Sequence, residues 1–86
     1  MKKVDVILKD YVSKLTIENL KFLYIRLNER IGPDLSEAVE FLSMSGEMDK
    51  WMMTAEGHDE FFDMTDLVQE YVERELKKRA PELITV

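Results

Sequence analysis

The sequence predicts an all-α fold, a small compact bundle of four to five helices with irregular, orthogonal or up-down packing. Apolar residues recur at helical spacing along most of the chain, which gathers them on one face of a 3.6-residue helix. Gly32-Pro33, Gly46 and Gly57 divide the chain into pieces of helix length. With 86 residues, 45% hydrophobic and 35% charged, the chain supports one core and one domain, residues 1–86.

The first helix is expected over residues 3–14, where Val4, Ile7, Leu8, Tyr11, Val12 and Leu15 follow the i, i+3, i+4, i+7 pattern. The alternation Val4-Asp5-Val6 also suits a strand start, but the only partner for it would be residues 83–86. Thr16 is placed to cap the second helix, and Glu18 stands in its first turn, where a carboxylate meets the positive end of the helix dipole. Gly32 is expected at the left-handed position that ends this helix, with Pro33 unable to continue it. On the second helix Ile17, Leu20, Leu23, Tyr24, Leu27 and Ile31 share one side, while Phe22 and Ile25 point to the other. Such a helix is either central and covered twice, or it presents Phe22 and Ile25 to a second copy as a homodimer face.

A third helix begins near Asp34 or Ser36 and carries Leu35, Ala38, Val39 and Leu42 as its stripe. Gly46 then marks a break before a short fourth helix over residues 47–55, built on Met48, Trp51, Met52 and Ala55. The fifth, residues 59–79, lines up Phe61, Met64, Leu67, Val68, Tyr71 and Val72, and pairs Glu70 with Arg74 and Glu73 with Lys77 in the favourable acid-first order. Lys77, Lys78 and Arg79 complement its negative end and Pro81 stops it, leaving residues 81–86 as a loosely held tail.

Charge is unevenly distributed behind a net −6. Residues 33–73 hold twelve Asp/Glu against Lys50 alone, a local −11, whereas residues 1–32 carry +3 and residues 74–86 carry +2. Phosphate contacts need clustered Lys/Arg, so direct nucleic-acid binding is not expected, and a basic partner for the acidic segment is. Cysteine is absent, which rules out disulfides and thiolate chemistry and fits a cytoplasmic location. No apolar run approaches the roughly 18 residues of a membrane span. Asp5, Lys9 and Asp10 interrupt the signal-peptide pattern that Lys2 and Lys3 would open.

No catalytic motif is legible. Ser13, Ser36, Ser43 and Ser45 share a single candidate base, His58, and no glycine-rich loop stands ready to hold an oxyanion or a phosphate. His58 lies among Glu56, Asp59, Glu60 and Asp63, but these carboxylates are what a helix start in an acidic protein carries, and no metal or other cofactor is expected. Asp34-Leu35-Ser36 before Glu37-Ala38-Val39-Glu40 resembles in composition the Asp-Ser-Leu start of the second helix in acyl and peptidyl carrier proteins. That resemblance spans about ten residues, and Ser36 does not directly follow the aspartate, so no prosthetic group is carried over.

The remaining signal is a concentration of methionine and aromatic side chains. Met44, Met48, Met52, Met53 and Met64 are five of the six methionines, and Phe41, Trp51, Phe61 and Phe62 lie among them. Flexible methionines beside aromatic rings suit a groove for an amphipathic helix, and they equally suit gap-filling between short helices. The expected function is thus a protein-interaction module, a regulator, adaptor or inhibitor, binding a basic or amphipathic partner. Phe41, Met44, Trp51, Met52, Met53 and Phe62 would form the surface. Glu37, Glu40, Glu47, Asp49, Asp59, Glu60 and Asp63 would form its acidic rim. Two alternatives stay open: a nucleic-acid mimic that inhibits a nucleic-acid-binding protein, and a structural homodimer.

Overall fold

A computed structural model describes residues 4–29 and 32–84. Within them the chain forms five α-helices: α1 (Val4–Ser13), α2 (Ile17–Glu29), α3 (Gly32–Ser43), α4 (Gly46–Met52) and α5 (His58–Arg79). A 3₁₀ turn, Pro81–Ile84, closes the chain. No strand occurs among the described residues, and Val4 to Leu8 are helical, so the strand alternative fails. The expectations for Lys3, Ile31 and residues 85 and 86 lie outside the described residues.

The termini of the helices follow local hydrogen bonding. Lys14 and Leu15 donate back to Tyr11 and Val12, closing α1 tightly. One residue later the Thr16 hydroxyl accepts the Asn19 N–H at 3.1 Å and starts α2, as its position predicts. Between α3 and α4 only Met44 and Ser45 intervene; their N–H groups bond back to Phe41 and Leu42, and the Ser45 hydroxyl caps α4 at Met48. Gly32 differs from expectation. Of the described glycines only Gly57 has a positive φ, and Gly32 is the first residue of α3 with Pro33 in its opening turn. Proline lacks an N–H that this turn would leave unpaired anyway, and its φ suits a helix, so Gly-Pro acts here as a start.

The long helices bury the predicted stripes. Leu8 and Val12 of α1, Leu20, Leu23 and Leu27 of α2, Ala38 and Leu42 of α3, and Val68, Val72 and Leu76 of α5 form one core with Met48, Met52 and Tyr71. In this arrangement α2 lies against both α5 and α3, while α1 packs on α5 and α4. The radius of gyration, 12.4 Å, is near the roughly 12 Å of a globular chain this long. The 3₁₀ turn packs back on α5, and Ala80 just before it is buried.

Polar links join segments far apart in the chain. The Tyr71 hydroxyl donates to the Asp5 carboxylate and Arg79 donates to the Val12 carbonyl at 2.9 Å, both tying α5 to α1. Gln69 donates to Asn28 at 3.0 Å across α5 and α2. No buried side-chain nitrogen or oxygen among the described residues lacks a partner.

Candidate functional site

Among the described residues the two most exposed large apolar side chains, Met44 and Met53, lie where helices end. Met44 occupies the two-residue turn after α3 and is 81% exposed. One turn earlier Phe41 is half-buried and packs at a tilt against Phe22 of α2, with ring centroids 5.4 Å apart. Arg26 lies over the Phe22 ring at 3.8 Å and holds Glu37 of α3 at 3.1 Å. Phe22 is therefore an element of the α2–α3 contact, flanked by an aromatic ring and a guanidinium.

Two open depressions meet at Phe41 and Met44. One, of about 260 Å³, is bordered by Phe22, Glu37 and Glu40. The other, of about 200 Å³, is bordered by Tyr11, Leu15 and Ser45. Together they form a shallow apolar groove over the ends of α1 and α3 and the flank of α2. Glu37 lies three and four residues before Glu40 and Phe41, and Met44 lies four and three after them, so the carboxylates line the same side of the α3 end as the apolar residues. Glu37 is engaged by Arg26, whereas Glu40 has no ion pair among the described residues. At the groove, burial pushes the Tyr11 hydroxyl up to about 12.

The methionine and aromatic residues do not form one surface. Met52 was expected to face a partner but is only 7% exposed and belongs to the core, because the fourth helix turns it inward with Met48. Trp51 is half-buried and packs against that core. Met53, 77% exposed, lies in the α4–α5 connection and borders a separate open depression with Met52, Phe61 and His58. Phe62 is exposed on α5 with its ring edge-on to Phe61. Phe41 and Met44 thus share one patch, and Met53 belongs to another.

Compared with known proteins, the chain matches no family model, no curated protein and no solved structure.

The expected acidic rim is likewise distributed. Glu37 and Glu40 border the groove, Glu47 and Asp49 lie on α4, and Asp59, Glu60 and Asp63 open α5. The Glu60 carboxylate accepts the Glu56 N–H at 2.8 Å and so acts as a helix-start clamp. No group of three or more His, Asp or Glu poised to hold a metal occurs among the described residues, and His58 is an exposed first residue of α5. No helix of the described residues is long and apolar enough to cross a membrane. Of the two residues assigned to a dimer face, Phe22 is occupied by Phe41 and Arg26, while Ile25 remains 51% exposed.

Sequence reasoning missed Tyr11 and Leu15 as groove residues. Both satisfy the first helix's apolar stripe, and nothing in their spacing says that the end of that stripe is left at the surface. It also missed the Phe22–Phe41 ring contact, which depends on how α2 meets α3.

Proposed function

We propose that this chain is a small acidic interaction module that receives a basic, amphipathic segment of another protein in the groove at Phe41 and Met44. The observation that carries the reading is the exposure of Met44 where two apolar depressions meet, on the side of α3 that also bears Glu37 and Glu40. Apolar side chains of the partner would fill the depressions and supply most of the affinity. Its Lys or Arg residues would meet Glu40 and the acidic field, which mainly accelerates encounter.

The test uses protein labelled with ¹³C at the methionine methyls and a designed Leu/Lys amphipathic peptide as probe. The Met44 methyl resonance should move with saturation while those of the buried Met48 and Met52 stay fixed. Met44→Ala should weaken the peptide by about tenfold, the loss expected for a moderate hot-spot side chain. If only the Met53 methyl responds, the Phe41–Met44 groove is not the site.

The nucleic-acid-mimic reading has one observation in its favour. Asp59, Asp63, Asp66, Glu70 and Glu73 recur at four- and three-residue spacing along α5, which sets them on one side of the helix over about 21 Å at 1.5 Å per residue. Binding of this kind would weaken steeply with added salt and ignore Met44→Ala, so the salt series on a basic nucleic-acid-binding partner separates the two readings.

A further inference from the structure

The two basic segments of the sequence, far apart in the chain, meet in the fold. Helix α1 packs on α5, and between them lies a cleft of about 320 Å³, better enclosed than the groove at Met44. Val12 and the Tyr71 ring, both largely buried in the core, form its apolar floor, and Lys9, Arg74 and Lys78 supply cations around it. Its one lining carboxylate, Glu75, is held by Arg79 at 2.9 Å.

Nearby carboxylates are also engaged. Asp5 accepts from Tyr71 and pairs with Lys9 at 3.3 Å, and Glu70 pairs with Arg74 at 2.7 Å. Arg74 also stands 5.1 Å from the centre of the Tyr71 ring, which keeps its guanidinium beside the apolar floor. Lys78 has no ion-pair partner among the described residues, in a chain where carboxylates outnumber cations eighteen to twelve. An unpaired cation beside an aromatic floor, in a protein otherwise rich in acid, is an arrangement for a ligand with opposite charge and an apolar body.

We infer that the α1–α5 cleft binds a small organic anion, its apolar body against Val12 and Tyr71 and its anionic group at Lys78 and Lys9. Glu75 and Ser13 complete the lining. This site is independent of the groove at Met44 and stands or falls without it.

The test is titration of ¹⁵N-labelled protein with 2-naphthoate, with 2-naphthalenemethanol and inorganic phosphate as the apolar-only and anion-only comparisons. The naphthoate should produce saturable amide shifts at Ser13, Tyr71 and Lys78 and bind at least about fivefold more tightly than either comparison probe. Lys78→Gln should weaken it about threefold, Lys9→Gln with Lys78→Gln about tenfold, and Lys50→Gln on α4 not at all. Each substitution is at an exposed lysine, and an unchanged thermal midpoint verifies the fold. The inference is overturned if the alcohol binds as tightly as naphthoate, if phosphate alone binds more tightly, or if the shifts fall elsewhere or fail to saturate.

Discussion

At the scale of single residues, Gly57 carries the clearest constraint. Its φ of 143° and ψ of 177° belong to a region that side-chain-bearing residues scarcely enter. Nothing lies within 4 Å of where a Cβ would sit, so any cost of Gly57→Ala comes from the backbone alone. That substitution should lower unfolding free energy by about 1–3 kcal/mol in a urea titration, with little change in the slope. The methionines give a second contrast. Met48 is fully buried and Met44 is almost fully exposed, four residues apart. Met48→Ala should cost about 2–5 kcal/mol through the lost contacts and the cavity, while Met44→Ala should stay within about 0.5 kcal/mol. Equal effects at the two positions would contradict the inward turn of α4.

At the scale of elements, α4 depends most on its surroundings. Seven residues are too few for a helix to persist alone, so its start and its packing must hold it. The Ser45 hydroxyl satisfies the Met48 N–H, and Ser45→Ala should cost about 1 kcal/mol by the same denaturant measurement, more than Ser43→Ala two residues earlier. Ser43 donates only to the Val39 carbonyl, which the helix already engages, and its loss should be nearly neutral. The elements also show what was legible beforehand. Stripes such as Leu20-Leu23-Leu27 and Val68-Val72 name both a helix and its inner face, because period and burial coincide there. Gly32-Pro33 was misread because the same dipeptide stops one helix and starts another, and only the φ of Gly32 distinguishes the roles. The candidate surface was less legible. Phe41, Met44, Met52 and Met53 lie close in sequence, but α4 turns Met52 inward and leaves Met53, just past its end, on another face. Links such as Arg79 to Val12 span sixty-seven positions and leave no local signal.

At the scale of the whole molecule, the junction of α1 with α5 ties the fold to pH. Tyr71 donates to Asp5, and that bond raises the Tyr71 hydroxyl above its ordinary 10 while holding the Asp5 carboxyl below its ordinary 3.8. Tyr11, on the same helix as Asp5, is raised to about 12 by burial. Both tyrosines hold their protons more tightly in the folded chain than in the unfolded one. Below pH 10 the two states are equally protonated and the full stability is present. Above pH 10 the unfolded chain ionises first, and stability falls until the folded hydroxyls ionise too, near pH 12 for Tyr11. Asp5 acts at the other end: its contribution is present above pH 3.8 and is lost as pH falls through its lower folded value. Urea unfolding should therefore show a plateau through neutral pH with a decline on each side. Tyr11 remains in part exposed to water, which screens its share of the alkaline loss to about 1 kcal/mol. Tyr11→Phe removes the ionisable group and keeps the ring, so the variant should lose less stability than the wild type between pH 9 and 11. Tyr71→Phe should flatten the alkaline side and also the acid side, since Asp5 would then titrate nearer its ordinary range. Parallel curves for wild type and Tyr71→Phe at both ends would mean that the Asp5–Tyr71 bond does not join the helices in solution.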